Sequence, residues 1–314
     1  MSIAAVVIGR NEGDRLMECL AALKGKVAQI IYVDSGSTDG SVAAARNAGA
    51  EVVELDMAQP FTAARARNAG LAELDAETEY VQLLDGDCVL REGWIEAAHA
   101  FLHDNAKVAV VCGRRRERAP SASIYNALID AEWDTPIGQT KACGGDALMR
   151  VTALREVGGY RDDLIAGEEP EMCVRLRQRG WQVWRLDAEM TWHDAAITRF
   201  AQWWRRSVRA GHAFAEGAAL HGSAPERHWV VETRRALLWG AVMPLGILLL
   251  AFLFGPWAFA LFLVYPLQVW RLTRRVGLAW AFFTTIAKFA ESYGALKFYI
   301  TRLRGGSTRI IEYK

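Results

Sequence analysis

The sequence predicts an α/β domain with a mostly parallel sheet, followed by apolar helices in the C-terminal part of the chain. Up to about residue 232, short apolar runs typical of buried strands alternate with amphipathic stretches of helical spacing. Short connections between these runs favour right-handed crossovers between parallel strands. From residue 236 onward the chain is largely apolar, with clustered arginines, a pattern typical of membrane helices. We therefore expect an α/β domain in residues 1–232 and a membrane region in 233–314.

The individual elements follow from apolar spacing and from helix-end signals. Pro170 in a first turn and Gly180 after the last one, for example, delimit a helix. Residues 113–123 are basic and loop-like, and 134–145 are expected to form a flexible excursion. The predicted strands are residues 3–8, 29–34, 51–55, 80–84, 107–112 and 181–187. The predicted helices are the segment containing Leu16, Cys19, Leu20 and Leu23, and residues 41–48, 62–74, 93–103, 124–133, 152–157 and 170–180.

Composition excludes some function classes and predicts a location. The net charge of +1 argues against a nucleic-acid-binding protein, which normally has a basic surface. The five cysteines are scattered and form no Cys-x-x-Cys pair, so they are expected to be small buried side chains in a reducing compartment. The first residues lead directly into a strand, without the features of a signal peptide. We expect the catalytic domain to face the cytosol at the inner (cytoplasmic) membrane.

The central stretch is the strand at 80–84, which ends in Asp85, Gly86 and Asp87. Two carboxylates at the carboxyl end of such a strand lie where open α/β sheets bind ligands. They would repel each other unless a cation lay between them, and oxygen ligands suit Mg²⁺ or Mn²⁺. A simple turn is the alternative interpretation of the triplet.

Four segments in order carry a family resemblance that covers most of residues 3–210. They are Arg10-Asn11-Glu12, the segment 33–39 that begins Val-Asp-Ser, the Asp-Gly-Asp triplet at 85–87, and the Gly-Glu-Glu-Pro-Glu segment at 167–171. With these segments the sequence resembles the inverting, nucleotide-sugar-dependent glycosyltransferases of family 2. The resemblance implies a GT-A catalytic domain, which is Rossmann-like.

The resemblance implies a nucleotide site at the ends of the first two strands. Arg10, Asn11 and Glu12 would lie near the base and ribose of a nucleotide-sugar donor. Asp34 would accept the N3–H of a uracil, which is reasonable for an acceptor-only carboxylate and makes UDP the expected nucleotide. The alternative is that Asp34 caps its own turn or the following helix.

The same resemblance assigns the diphosphate and the cation. Arg67 would bind the diphosphate, because Arg67 and the asparagine after it match the family pattern and a guanidinium can bind bidentately. Arg65 lies on the opposite side of the helix. Asp85 would hold the ribose or a metal-bound water. Asp87, with His193 as a further ligand, would bind Mn²⁺ or Mg²⁺. The alternative for Arg67 is that it lies on a solvated helix face. The alternative for His193 is a purely structural role.

Transfer with inversion requires a carboxylate that takes the proton of the acceptor hydroxyl. The resemblance implies Glu169 for this role, with Glu168 beside it. Relatives usually have Glu-Asp here, so the glutamate is one methylene longer than expected. The helix that begins at this point would favour an ionised carboxylate, whereas the neighbouring glutamates would oppose it. An acidic helix start without catalytic function is the alternative.

Further segments are expected to contact the sugar, the acceptor or the membrane. Residues 141–147 resemble the Gly-Gly segment that lines the sugar and acceptor in the family. This resemblance implies that Gly144 and Gly145 would let the backbone approach the sugar, and Asp146 could bond its hydroxyls. The basic run 113–118 is expected to be a solvated loop or a contact for phosphate-bearing lipid. Residues 202–206 resemble a Gln-x-x-Arg-Trp signature in altered order, so processivity is not inferred, and an interfacial anchor is the alternative.

The C-terminal part is expected to form membrane helices. Residues 236–270 are about 35 residues without a charge, and one membrane span needs about 20. A hairpin turning near Gly255 and Pro256 fits, with arginines at both ends on the cytosolic side. Residues 278–303 contain charges, so an amphipathic interfacial helix is expected, with a third membrane helix as the alternative. Arginines expected on the cytosolic side after it are Arg302, Arg304 and Arg309.

The predicted function is metal-dependent, inverting transfer of a sugar from a nucleotide-sugar donor to a hydroxyl of a lipid-linked saccharide. Envelope or exopolysaccharide synthesis is the expected pathway. The first alternative is transfer to a polyprenyl phosphate, whose anionic oxygen needs no base. The second is a catalytically inactive membrane scaffold, against which the complete set of acids argues.

Overall fold

The structure is a computed structural model that describes residues 2–306, and the chain divides into two compact units. The first unit comprises the chain up to Ala122 together with Ile129–Ala196, and the second comprises Ser123–Leu128 and the chain from Ile197 onward. The change of unit at Ala196 precedes the domain boundary predicted at residue 232, because the helix that follows Ala196 packs against the last helix of the second unit.

The elements of the two units are numbered in chain order. The strands are β1 Ile3–Gly9, β2 Gln29–Asp34, β3 Glu51–Glu54, β4 Tyr80–Asp85, β5 Cys88–Leu90, β6 Val108–Glu117, β7 Gly138–Thr140, β8 Ala147–Arg150 and β9 Gln182–His193. The first helices are α1 Asp14–Leu23, α2 Ser41–Asn47, α3 Ala63–Ala72, α4 Trp94–Asp104, α5 Ile124–Glu132, α6 Val151–Glu156 and α7 Glu168–Gln178. The helices of the second unit are α8 Phe200–His221, α9 Val230–Leu237, α10 Met243–Phe254, α11 Val264–Val276 and α12 Leu278–Leu303.

Within residues 2–306 the first unit contains one nine-stranded sheet in the order β3-β2-β1-β4-β8-β6-β9-β5, with β7 on β9. The pairs β1–β2, β1–β4, β2–β3 and β6–β9 are parallel, whereas β4–β8, β6–β8, β5–β9 and β7–β9 are antiparallel. The α/β class is confirmed, but the sheet is mixed and not mostly parallel. The error arose because an apolar run indicates burial on both faces and not strand direction.

The basic segment expected to be a loop belongs largely to a strand. Strand β6 continues to Glu117, and β9 continues to His193, well beyond the predicted end at residue 187. Charges are tolerated there because they are paired: Arg114 Nη2 lies 2.9 Å from Asp130 Oδ2 and Arg115 Nε lies 3.0 Å from Asp146 Oδ2. Charge pairs with a helix and with the residue before β8 thus allow the strand to continue through a sequence with little apolar character.

Helix α3 packs closely on the sheet and thereby fixes the arginine it carries. It begins after Thr62, whose hydroxyl accepts a hydrogen bond from the Arg65 amide at 3.0 Å. A Cβ at Gly70 would lie 2.4 Å from a methyl group of Val6 on β1, so only glycine allows this approach. The contact presses the face that carries Arg67 toward the carboxyl ends of the strands.

The second unit contains one helix in the described part of the chain that is long and apolar enough to cross a membrane. It is Val230–Phe254, formed by α9, a π-helical turn and α10, with mean hydropathy 2.4 and almost no buried side chains in its most apolar part. The helix ends at Gly255, as the predicted turn requires. Beyond it a 3₁₀ helix, Pro256–Leu263, leads into α11 with Arg274 and Arg275 in its last turn. The second helix of the predicted hairpin is therefore not confirmed as a membrane helix.

Helix α12 packs against α8 through glycines. A Cβ at Gly211 would lie 2.0 Å from the Glu291 carbonyl oxygen, and one at Gly294 would lie 2.0 Å from the Val208 carbonyl oxygen. Lys288 pairs with Glu291 at 2.6 Å, which accounts for charges on a packed helix. Whether α12 lies at a membrane surface or spans it stays a prediction, and Arg309, expected beyond it, lies outside the described residues.

Candidate active site

The loops after β1 and β2 are joined by hydrogen bonds. Asn11, which has φ 55°, accepts a bond from the Thr38 amide at 2.7 Å and donates its own amide to Ser37 Oγ at 2.8 Å. Glu12 pairs with Arg15 at 2.7 Å, and Arg10 is exposed. The three residues predicted to contact the nucleotide thus follow the end of β1, and Asn11 joins them to the β2 loop.

Asp34 performs the capping role that was the alternative interpretation. Its Oδ1 accepts a bond from the Tyr32 hydroxyl at 2.9 Å, and its Oδ2 accepts from the amides of Gly36 and Ser37 at 2.9 and 2.8 Å. A carboxylate offers about four acceptor positions, so a further bond to a base N–H is compatible with this arrangement. The contact of Asp34 with uracil stays a prediction.

Arg67 connects the end of β4 with the start of α7. Its guanidinium is 3% exposed and donates to Asp85 Oδ1 at 2.7 Å and to Glu168 Oε1 at 2.8 Å. Burial by itself lowers its pKa, but the two carboxylates outweigh burial and raise the pKa above its usual value. Arg65 lies on the other side of the helix, where it bonds the Asp56 carbonyl at 2.6 Å. The choice of Arg67 over Arg65 as the inward residue agrees with this geometry.

Asp146 is fully buried beside Asp85, at the carboxyl end of β4. With 0% of its side chain exposed, its Oδ2 accepts from Arg115 Nε at 3.0 Å and Thr191 Oγ1 at 2.9 Å. Its Oδ1 accepts from the Asp85 amide at 3.3 Å. Burial, followed by the charges of Asp146 and Asp87, raises the pKa of Asp85, while Arg67 lowers it. These contacts favour a supporting role for Asp146 over the predicted bond to a sugar hydroxyl.

Arg115 is a member of this network that the sequence analysis missed. It lies between Arg114 and Arg116 on β6, and its 3.0 Å contact with the fully buried Asp146 shows that its side chain points inward. Its guanidinium also lies 5.3 Å from the centre of the Trp133 ring. Arg114 is buried as well, so alternation along the basic run does not single out Arg115, and the loop interpretation concealed it.

Gly144 and Gly145 allow a loop to lie against two arginines. Gly144 has φ +84°, and a Cβ there would lie 3.1 Å from Arg115 Nη2. A Cβ at Gly145 would lie 2.8 Å from Arg67 Nη2. The observed close approach is thus to protein cations, and the predicted approach to a sugar stays a prediction.

Asp87 and His193 come together as predicted for a cation site. The antiparallel pairing of β5 with β9 sets Cys88 opposite His193, and His193 Nε2 lies 3.4 Å from Asp87 Oδ1. Both side chains are buried, and the donor atoms of Asp87, Cys88 and His193 all lie within 4.8 Å of one another. A carboxylate and an imidazole at this spacing fit a divalent cation. Their assignment as ligands stays a prediction.

Glu169 lies in the first turn of α7 and is buried. Its Oε1 accepts from the Cys143 amide at 2.7 Å, from Cys143 Sγ at 2.8 Å and from Cys173 Sγ at 2.9 Å. None of the described residues hydrogen-bonds its Oε2. One oxygen is therefore fixed by three donors, and the other is available to accept a proton. The two cysteines, expected to be small buried side chains, also donate hydrogen bonds to Glu169.

Sequence comparisons identify relatives over most of the chain. A family model described as glycosyl transferase family 2 matches residues 4–157. The chain is 26% identical over 235 residues to a pre-mycofactocin glycosyltransferase of Mycobacterium tuberculosis, covering 70% of this chain and 48% of that protein. It is 27% identical over 252 residues to the succinoglycan biosynthesis protein ExoA of Rhizobium meliloti, covering 73% and 76%. The chain thus spans about half the length of the mycobacterial relative.

A comparison with solved structures agrees on the fold. The mannosyltransferase PcManGT from Pyrobaculum calidifontis, solved with GDP-Man and Mn²⁺, aligns with a TM-score of 0.63 at 20% identity, covering 92% of this chain and 86% of that one. The chain thus contains a glycosyltransferase family 2 domain in residues 4–157, and its sheet has the mixed, GT-A-like arrangement.

Proposed function

We propose that the protein transfers a sugar, with inversion, from a nucleotide-sugar donor to a hydroxyl of a lipid-linked saccharide. The proposed location is the cytosolic face of the inner membrane, in envelope or exopolysaccharide synthesis. The relative named for succinoglycan biosynthesis supports this type of pathway.

The donor would bind at the joined ends of β1, β2 and β4. Asp34 is the proposed contact for the base, with Arg10, Asn11 and Glu12 beside it, and UDP is the proposed nucleotide. Because PcManGT was solved with GDP-Man, GDP-mannose is the first alternative donor to test. Arg67 would leave its present carboxylate partners, in part, to bind the diphosphate, since one guanidinium can serve several oxygens in a fork geometry.

Asp87 and His193 would hold Mn²⁺ or Mg²⁺, with Asp85 ordering the ribose or a metal-bound water. When bound, the cation supplies positive charge that stabilises the departing nucleoside diphosphate. The 3.4 Å separation of the two donor groups supports this assignment, as does the Mn²⁺ of PcManGT.

Glu169 would act as the base. Three donors hold its Oε1, so the Oε2 can take the proton of the acceptor hydroxyl without reorientation of the side chain. Glu168, bonded to Arg67, would link the position of the base to that of the diphosphate. A base fixed in this way reduces the reorganisation needed as the glycosidic bond forms.

A lipid-linked acceptor is supported by the second unit. Its helix Val230–Phe254 is apolar and largely exposed. A groove of about 540 Å³ between α11 and α12 is lined mainly by apolar side chains, including Trp270, Phe282 and Phe289. Arg274 stacks on Trp270 at 4.1 Å and would supply positive charge beside a lipid phosphate.

The single observation that carries the proposal is the chain of contacts Asp85–Arg67–Glu168, which joins the acidic strand end to the helix that bears Glu169. The test is a screen of radiolabelled nucleotide sugars, with Mn²⁺ or Mg²⁺, against a membrane lipid extract. We expect label in the lipid fraction with the wild type and at least about 100-fold less with Asp87→Ala. Asp163→Ala, at an exposed ion pair with Arg161, is the matched control and should keep activity.

Glu169→Gln distinguishes the proposed acceptor from the alternatives. We expect it to lower the rate by about 10²–10⁴-fold, because an acceptor hydroxyl needs a base. Nearly unchanged activity would favour the alternative acceptor, a polyprenyl phosphate. Metal-dependent binding of the donor without transfer to any lipid would favour the inactive scaffold.

A further inference from the structure

Two thiols converge on the carboxylate of Glu169. Cys143 Sγ and Cys173 Sγ lie 2.8 and 2.9 Å from Glu169 Oε1 and 4.0 Å from each other. Glu169 and Cys173 are one turn apart on α7, so the helix fixes their spacing. Cys143 comes from the segment before β8, and its amide also bonds Glu169.

The spacing of the three groups is close to that of a metal site with sulfur ligands. In a tetrahedral zinc site with bonds of about 2.3 Å, two sulfurs lie roughly 3.8 Å apart. A carboxylate oxygen at about 2.0 Å from the ion would lie roughly 3.5 Å from each sulfur. Glu169 Oε1 now lies 2.8 and 2.9 Å from the two sulfurs, so it would have to move away from them on binding the ion. Two thiolates and a carboxylate leave one position open, as in catalytic rather than structural zinc sites.

We propose that Cys143, Glu169 and Cys173 form a binding site for a thiophilic divalent cation of the Zn²⁺ class. Binding replaces the two S–H hydrogen bonds by two metal–sulfur bonds and one metal–oxygen bond, and the two thiol protons go to solvent. The ion keeps its oxidation state, so no oxidant is required. Cys143 is half-buried and provides the accessible side of the site, whereas the other two ligands are buried.

This site differs in preference from the one at Asp87. The Asp87 site has a carboxylate, an imidazole and, among the described residues, only one nearby thiol, that of Cys88, and is proposed to use Mn²⁺ or Mg²⁺. The site at Glu169 has two thiols. Soft sulfur ligands select zinc-like ions over these hard cations. If Glu169 is the base, as proposed above, an ion on its carboxylate prevents it from accepting a proton. Zn²⁺ would then inhibit transfer even when Mn²⁺ is saturating.

The binding test does not depend on activity. The purified full-length protein is titrated with Cd²⁺ in the presence of excess Mg²⁺, and the ultraviolet absorption of cadmium–thiolate bonds is recorded. We expect one thiolate-bound ion per chain for the wild type and at least about tenfold weaker binding for Cys143→Ser and Cys173→Ser. Cys19→Ser, at a buried thiol far from this cluster in sequence and bonded only weakly to the Asp85 carbonyl, is the control and should bind as the wild type.

Folding of each variant is checked by circular dichroism and thermal unfolding. Since Cys173 is fully buried and its replacement could unfold the protein, the half-buried Cys143 is the deciding position. Cd²⁺ should raise the unfolding temperature of the wild type but not of Cys143→Ser, because only an ion bound to the folded state stabilises it. Equal binding by wild type and Cys143→Ser would overturn the site.

Transfer assays test the consequence for the base. Zn²⁺ should inhibit the wild type and Cys19→Ser in saturating Mn²⁺, and should inhibit Cys143→Ser at least about tenfold less strongly. Thiolate binding without any inhibition of an active wild type would overturn the inhibitory role. Absence of transfer with every donor, together with thiolate binding, would reject the proposed function and leave the metal site supported.

Discussion

The two compact units hold their interiors together by different means. In the first unit, charged side chains lie inside the sheet end: Arg67 and Arg115 are paired with Asp85, Glu168 and Asp146. In the second unit, helices α8 and α12 approach until glycine backbone meets carbonyl oxygen. Buried charge pairs provide little net stability but cost much when broken, whereas close backbone packing tolerates no added volume. The first arrangement keeps charged groups at the strand ends, and the second brings two helix backbones into contact.

Neighbouring arginines on β6 give the strongest test of this comparison. Replacing Arg115 by glutamine leaves the fully buried Asp146 without its cation, which should cost about 3–5 kcal/mol of stability. Replacing Arg116, whose pair with Glu189 is 41% exposed on both sides, should cost less than about 1 kcal/mol. Thermal and urea unfolding of both variants measure the difference. Equal losses of stability in the two variants would contradict the expectation that the buried ion pair costs more to break than the exposed one.

A glycine pair in the second unit gives the next largest effect. Gly294→Ala puts a methyl group 2.0 Å from the Val208 carbonyl oxygen and should cost about 3 kcal/mol, the upper range for overpacking. Gly246→Ala, on the apolar helix α10, meets nothing within 4 Å and should stabilise the helix by about 0.5–1 kcal/mol. Unfolding temperatures in detergent should move in opposite directions. A similar small change for both would show that the α8–α12 contact is looser than described.

His212 gives a smaller, pH-dependent effect in the same contact. It lies on α8 near the Phe298 ring, with Glu216 3.5 Å from its Nδ1, and burial, followed by Lys297 and Arg209, lowers its pKa to about 4. Because the unfolded histidine binds a proton near pH 6.5, the stability is fully present above that pH and is lost as pH falls toward 4. Between pH 7 and pH 5 the loss should be about 2 kcal/mol.

The measurement compares unfolding of the wild type and His212→Gln at pH 7 and pH 5. Glutamine has a similar size and no titration in this range, so the variant should lose less stability than the wild type on acidification. A wild type and variant with the same pH dependence would assign the acid sensitivity to other groups.

Much of the first unit was predictable because its signals are local. The apolar runs at β1, β2 and β4 and the acids at their ends gave the α/β class and the region of Asp34 and Asp85. The direction of β8 was not predictable, because insertion between β4 and β6 depends on partners far along the chain. The same limit concealed Arg115, since its inward face appears only once β6 is known to continue through the basic run.

In the second unit the apolar character and the break at Gly255 were predictable from the sequence, but the packing was not. Periodicity showed that residues 278–303 form a helix, and its charges suggested a membrane surface. The contact of Gly211 with Glu291 shows that one face of this helix packs against α8, which the periodicity did not predict. A glycine in a helix has the same local pattern whether it meets solvent or another backbone, so only the partner decides its role.

The sequence by itself determined which chemistry this protein could contain: acids at strand ends, an arginine before the acidic strand, a glutamate at a helix start and a long apolar segment. Local patterns suffice for this because strand and helix periodicity set where side chains of each type lie along an element. Only the tertiary structure decided which of these groups meet. Asp87 with His193, Arg67 with Glu168, and Glu169 with its two thiols depend on strand direction, register and helix position, which involve residues distant in sequence.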